Sequence, residues 1–248
     1  MVEHFQLKLV DSYMLAPSVR HLAFARVDGQ PLPLVPGQFL QIHFAYADGT
    51  ATKRSYSVAT VGDGASPVAQ VEIAVSYVEG GAATQLLANL PMGGVIDASG
   101  PYGRFCLQPA DDNRRYLLLA TGTGVTPYRA MLPQMEKLLA AGDREVVLVY
   151  GARNERELLY AEQFEAFAQA HAGFSFYSCL SREARAAPRA MDRSGHVQQV
   201  LAELQPRAGH DIAYLCGNPE MVDQAFAALK DAGLPVAHIR REKYVSSR

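Results

Sequence analysis

The sequence predicts a two-domain protein, an antiparallel β-barrel followed by an α/β domain built on a parallel sheet. Three observations carry that expectation. Up to about residue 108, short alternating or β-branched runs are separated by turns rich in Gly, Pro and Asp. Beyond residue 115, fully apolar runs of strand length alternate with helical segments, as in a parallel sheet covered on both faces. Between them, Gln108–Arg115 (QPADDNRR) is polar and without apolar period, and reads as a linker. The expected domains are therefore 1–108 and 109–248, and 248 residues suffice for two modest cores.

In chain order, His21–Val27, Gln38–Phe44, Ser55–Thr60 and Val71–Val78 read as strands. They are punctuated by VDGQPLP, YADGT and VGDGASP, and a short helix follows near Ala82–Leu90. In the second half, Tyr116–Ala120 (YLLLA) is a buried strand running into TGTG, with a helix over Thr126–Ala140. The strand Glu145–Tyr150, a helix over Glu157–Ala170, the strand Phe174–Leu180 and a helix near His196–Leu204 come next. The strand Asp211–Cys216 and a helix over Glu220–Ala232 complete the set.

Composition narrows the function. An apolar fraction of 49%, a charged fraction of 19% and a net charge of -2 describe an ordinary globular chain. With no long block of one sign, a nucleic acid is not expected as the main partner. No apolar run reaches bilayer-spanning length, and MVEHFQLKLVDSYML mixes charge too early for a secretory signal, so a cytoplasmic protein without membrane contact is expected. Cys106, Cys179 and Cys216 lie far apart and form no CxxC pair, so no metal or iron–sulfur centre is expected on this chain.

Two segments carry chemistry on their own terms. Thr121–Pro127 (TGTGVTP) takes a buried strand through two glycines into a helix, which presents main-chain N–H groups to an anion such as a pyrophosphate. The spacing departs from GxGxxG, and a plain tight turn reads equally from these residues alone. In Arg54–Ser55–Tyr56–Ser57, alternation places Arg54 and Tyr56 on one face and Ser55 and Ser57 on the other. A guanidinium, an aromatic ring and a hydroxyl suit a flavin with its pyrophosphate, although an exposed edge strand would read the same.

Read together, PGQF (Pro36–Phe39), RSYS, GPYG (Gly100–Gly103), TGTGVTP, YGARNEREL and CGNPEM occur in the order found in the ferredoxin–NADP reductase superfamily. The chain resembles most the compact bacterial ferredoxin or flavodoxin reductases. The resemblance implies an N-terminal FAD-binding barrel, a C-terminal NADP-binding domain, and a C-terminal tail returning to the flavin. It implies an enzyme that passes hydride between NADP(H) and flavin N5, followed by single-electron steps to an acidic ferredoxin or flavodoxin.

By the same resemblance, Arg54 pairs with the FAD pyrophosphate, Tyr56 packs on the isoalloxazine and Ser57 bonds near N5, with Ser55 beside them. Ala82, Ala83 and Thr84, after Gly80–Gly81, complete the pyrophosphate site. Thr84 stands where the family more often has Ser, and a helix-cap role is open to it. Thr123 meets the flavin edge, while Gly122, Gly124, Cys216 and Gly217 approach NADP. Tyr244 matches an aromatic that lies over the flavin, in a basic segment with Arg240, Arg241 and Lys243 that suits an acidic partner. Ser57, Cys216 and Tyr244 are the catalytic candidates, with Cys216 as a contact rather than a nucleophile.

Coenzyme choice falls to Ser181–Arg182–Glu183, whose serine and arginine match residues reading the 2′-phosphate, while Arg153 matches a family arginine that contacts NADP. One departure weakens that match: His196 stands where the family often has a second phosphate-binding arginine, with Arg193 as the nearest substitute. A monomer is expected. Two other readings are open: a reductase serving an oxygenase or free flavin, and a non-catalytic flavin or nucleotide sensor.

Overall fold

The computed structural model describes residues 3–46, 48–77, 80–108 and 112–245. Val78 at the end of one expected strand, residues 109–111 of the expected linker and residues 246–248 of the tail lie outside the described residues. The chain divides into two compact units. One runs up to Leu107 and includes Thr126–Gln134; the other holds Gln108–Val125 and Met135–Val245.

The first unit is an antiparallel sheet of β1 (Glu3–Ala16), β2 (Val19–Arg26), β3 (Phe39–Ala45), β4 (Ala51–Ser57), β5 (Gln70–Ser76) and β6 (Val95–Tyr102). Its order is β4-β3-β6-β1-β2-β5. An antiparallel bridge between Val58 and Ile73 joins the β4 end to β5 and closes the sheet on itself. Closure removes the free edges that an open sheet would leave. Alternate residues Leu7 and Leu9, Leu22 and Phe24, Leu40 and Ile42, and Val71 and Ile73 point inward and form its core. The barrel expected from the sequence is present.

The helix α1 (Ala82–Asn89) belongs to this unit. So does Thr126–Gln134, where the expected continuous helix Thr126–Ala140 is instead two: α2 (Thr126–Ala130) and α3 (Leu132–Leu139). Buried Arg129 of α2 donates to the carbonyl of Ala59 at 2.6 Å and to the carboxylate of Glu72. Tertiary anchoring thus overrides a helical period that sequence alone would continue.

The second unit is a parallel sheet of β7 (Arg115–Thr121), β8 (Glu145–Ala152), β9 (Phe174–Leu180), β10 (Asp192–Ser194), β11 (Asp211–Gly217) and β12 (Ile239–Lys243). The order is β10-β9-β8-β7-β11-β12. On one face α5 (Val200–Leu204) and α6 (Pro219–Asp231) cover Leu117, Leu119, Val147 and Leu215. On the other, α4 (Ala161–Ala170) sets Phe164 against Phe176 at 5.6 Å. Burial on both faces explains why these strands read as continuous apolar runs. From β7 the chain winds outward through β8, β9 and β10, then returns to add β11 and β12 on the other side. The order therefore reverses between β7 and β11, and open α/β sheets bind ligands at such a point, beyond the carboxyl ends of the strands.

Candidate functional site

Within the barrel unit, β4 delivers the first group of expected residues. Arg54 pairs across the ladder with Ile42 and Tyr56 with Leu40, while Ser55 stands on the exposed face opposite Gln41. Tyr56 packs its ring against the barrel core, and burial pushes its phenol up to about 12, so it stays neutral at working pH. The Arg54 guanidinium is aimed by Tyr46, whose hydroxyl accepts at 2.9 Å, and by the Lys53 carbonyl at 2.9 Å, and it lies 5.8 Å from the Phe44 ring centroid. Sequence reasoning missed Tyr46 because nothing in YADGT marks it as a partner of the following strand. Ser57 is buried where β4 ends, opposite Phe39.

The Gly80–Thr84 turn enters α1 with Gly81 as N-cap, a residue with no side chain to cap that end. Thr84 is buried in the first helical turn, so the helix-cap role open to it in the sequence belongs to Gly81 instead. The first helical bond closes from Gln85 N to Gly81 O. Ala82 and Ala83 therefore lie in the turn whose amides have no intrahelical acceptor, and their small side chains leave room for an oxyanion. A cation, an aromatic ring, a buried hydroxyl and a helix start are groups that could hold a flavin and its pyrophosphate.

Within the sheet unit, the other expected residues gather at the carboxyl edge. The ladders set Ala120 beside Cys216, Thr121 beside Gly151, and Ala152 beside Leu180. Thr121–Gly124, Arg153, Ser181 and Gly217 thus leave the same edge, and the β7–β11 reversal lies between the first and last of them. A Cβ at Gly124 would overlap the Cys216 carbonyl, and one at Gly217, whose φ is +131°, would stand 2.5 Å from the Thr121 hydroxyl. The two turns pass so closely that only glycine fits. Thr121 Oγ1 accepts from Asn218 N at 3.0 Å, and Tyr150 OH donates to Gly122 O at 3.1 Å. Gly122 and Thr123 open the single 3-10 turn between β7 and α2.

Cys216 is fully buried; burial drives its thiol well above the ordinary range, and the nearby Glu242 adds to the rise. Such a thiol is neutral and a poor nucleophile. Tyr244 hydrogen-bonds to it through its side chain, and Tyr244 N donates to Gly217 O at 2.8 Å. Two residues assigned separately in the sequence thus meet. In CGNPEM, Asn218 accepts from Glu220 N at 2.9 Å and Pro219 opens α6. The motif is therefore a helix start as well as a strand end.

At the far side of the edge, Ser181 N and Arg182 N donate to the carbonyls of Ala152 and Arg153, each at 3.0 Å. The Arg182 guanidinium is exposed and has no partner among the described residues. Arg153 is held by Glu157 through two contacts of 2.7 Å. Arg193, the nearest substitute for a missing phosphate-binding arginine, is committed to Glu203 and lies over the Tyr177 ring. The basic segment is also partly spent: Arg241 lies 3.8 Å from the Phe226 ring centroid and Lys243 bridges Asp223 at 2.7 Å. Among the described residues no three His, Cys, Asp or Glu side chains converge as a metal site requires, and no helix is long and apolar enough to cross a membrane.

Comparison with known proteins adds three kinds of match. Residues 6–106 match the oxidoreductase FAD-binding domain family, and residues 118–226 match the oxidoreductase NAD-binding domain family. Ferredoxin–NADP reductase B of Sorangium cellulosum is 34% identical over 98% of this chain and 98% of its own length. The phenol hydroxylase P5 protein of Acinetobacter pittii is 31% identical over 100% of this chain, which spans 67% of that protein. Among solved structures, the cytochrome P450 reductase GcoB of Amycolatopsis superposes with a TM-score of 0.83 at 28% identity, over 98% of this chain and 70% of GcoB.

Proposed function

This chain belongs to the ferredoxin–NADP reductase superfamily of FAD-dependent NAD(P)H oxidoreductases, and from that premise we propose that it exchanges electrons between NADP(H) and a ferredoxin or flavodoxin. The observation that carries the reading is the gathering of Gly124, Cys216, Gly217 and Tyr244 at the strand-order reversal, with the Ser181–Arg182 turn on the same edge. The resemblance to ferredoxin–NADP reductase B along both chains supports the choice of carrier.

When bound, FAD supplies an acceptor for two electrons that can be passed on singly. The chain's own residues bind and orient. Arg54 and the open first turn of α1 hold a diphosphate, Tyr56 offers a neutral aromatic face, and Ser57 offers a hydroxyl shielded from water. In the sheet unit, the turn Gly122–Gly124 lets a second diphosphate approach the main chain, and Ser181 with Arg182 reads the ribose phosphate. Cys216, neutral and buried, excludes water beside the reacting ring, and Tyr244 is fixed at its edge through the thiol and Gly217. These are positioning roles, and no proton-transfer triad is required.

The oxygenase-reductase reading is the second one, favoured by the match of the whole chain to the phenol hydroxylase P5 protein. Both are tested by loading the purified protein with FAD and following NADPH oxidation with ferricyanide, a bacterial [2Fe–2S] ferredoxin and a flavodoxin as acceptors. The proposal expects retention of FAD through gel filtration and turnover with at least one of the two protein carriers. Ferricyanide reduction without reduction of either carrier would displace it in favour of the second reading.

A further inference from the structure

We propose that Glu157 is a specificity-determining residue of the coenzyme site, setting the preference for NADPH over NADH by holding the Arg153 guanidinium closed. The proposal rests on the reading of Arg153 as an NADP contact, and it places that contact at the ribose 2′-phosphate because the Arg153 carbonyl is bonded to the Ser181–Glu183 turn. The geometry is local and complete. After β8 ends at Ala152, the 3-10 turn Glu155–Glu157 brings Glu157 back onto the side chain four residues earlier. Arg153 Nε donates to Oε2 at 2.7 Å and Nη2 lies 2.7 Å from Oε1, so one whole edge of the guanidinium is taken. That edge is one a phosphate would use for bidentate recognition.

The main chain of both partners is anchored. The Arg153 carbonyl accepts from Arg182 N at 3.0 Å and Glu183 N at 3.2 Å, which ties the β8 end to the Ser181–Glu183 turn. Glu157 N donates to Asn154 O at 3.2 Å, and Glu157 O accepts from Tyr150 OH at 3.3 Å. The Glu157 side chain is 23% exposed against 51% for Arg153, so the acid is the better shielded of the two. Its charge is accordingly less screened by solvent and salt.

A 2′-phosphate arriving at Arg153 meets a carboxylate already in the fork and must either displace it or lie beside a like charge. A 2′-hydroxyl carries no such penalty and can donate to the same carboxylate. The penalty falls on one coenzyme only, which is what specificity requires. Of the neighbouring cations Arg193 is paired with Glu203, which leaves the exposed Arg182 to meet the phosphate.

The test compares wild type, Glu157→Gln, Arg153→Ala and the double variant, all loaded with FAD. Two quantities are read: the ratio of kcat/KM for NADPH and NADH with ferricyanide, and calorimetric Kd values for 2′,5′-ADP and 5′-AMP. Glu157→Gln keeps the shape and removes the charge. It is expected to raise the ratio about tenfold, the scale of one charged contact, and to tighten 2′,5′-ADP but not 5′-AMP. Both gains should vanish in the double variant. If Arg153→Ala lowers the ratio while Glu157→Gln leaves it unchanged, the phosphate reading stands and the role of Glu157 falls. If neither variant moves the ratio or the 2′,5′-ADP affinity, the phosphate is read elsewhere and both fall. A gain that survives Arg153→Ala also overturns the proposal.

Discussion

Cys216 illustrates how burial decides chemistry at a single residue. With its thiol raised by desolvation and bonded to Tyr244, it presents a small neutral surface where a charged sulfur would attract water and react with oxidants. The arginines show the complementary case, in which pairing decides availability. Arg153 and Arg193 are each matched by a carboxylate, whereas the exposed Arg182 fork has no partner among the described residues. Replacing Arg182 by alanine is therefore expected to reduce the NADPH-to-NADH ratio of kcat/KM by a factor equivalent to about 1.5–3 kcal/mol, the loss of one charged hydrogen bond. Steady-state kinetics with both coenzymes checks it, and an unchanged ratio would mean that Arg182 does not touch the phosphate. Arg182 itself was legible in the sequence, since SRE ends a strand. The carboxylates that occupy its neighbours were not, because Glu157 and Glu203 lie four and ten residues from their partners with no motif to join them.

Elements position these residues through close backbone approach, and here glycine is decisive. The turn after β7 and the end of β11 interlock at Gly124 and Gly217: the Cys216 carbonyl fills the space that a Cβ on Gly124 would need, and Thr121 fills that of a Cβ on Gly217. Gly124→Ala is expected to force the Cys216 carbonyl aside and destabilise the protein by about 1–3 kcal/mol, the range for overpacking, while weakening 5′-AMP binding. Thermal unfolding with calorimetric titration measures both, and wild-type values for both would refute the interlock. The buried strands β7, β8, β9 and β11 were plain in the sequence because their apolar runs admit no other use. Other elements escaped for physical reasons. β12 (IRREK) has an almost wholly polar sequence because only Ile239 faces the core, so it reads as a tail. β10 is three residues long. In β1, Phe5, Leu7 and Leu9 alternate with Gln6 and Lys8, a strand period left unassigned in the sequence. The helix expected from Glu157 begins at Ala161, because Glu155–Glu157 forms a 3-10 turn and Tyr160 adopts a left-handed φ of +55°.

Each unit also buries a titratable group, and together they give the molecule an acid response in two stages. In the barrel unit, His21 is buried beneath the Tyr13 ring at 4.6 Å and beside Glu72 at 3.6 Å. Burial lowers its pKa below the ordinary 6.5; Glu72 and Asp11 oppose the shift, and Arg129 reinforces it. The unfolded chain therefore takes up this proton first, so the contribution is complete above about pH 6.5 and is lost as pH falls through the folded value. In the sheet unit, Asp211 is fully buried at the start of β11. Burial raises its carboxyl, but Arg115, at 2.6 and 3.0 Å, with His210 and Arg207 N, outweighs that and holds it below 3.8. Its contribution is complete above pH 3.8 and is lost only as pH falls through the lower folded value. Urea midpoints measured from pH 8 to pH 3 should accordingly fall first below neutrality and again below pH 4. His21→Gln is expected to reduce the slope of the upper limb, to which His43 also contributes, and Asp211→Asn that of the lower limb, which it shares with Asp28, Asp192, Glu3 and Glu203, because the change in slope with pH reports the proton that the substitution removes. Retention of the upper slope in His21→Gln would assign that limb to another group.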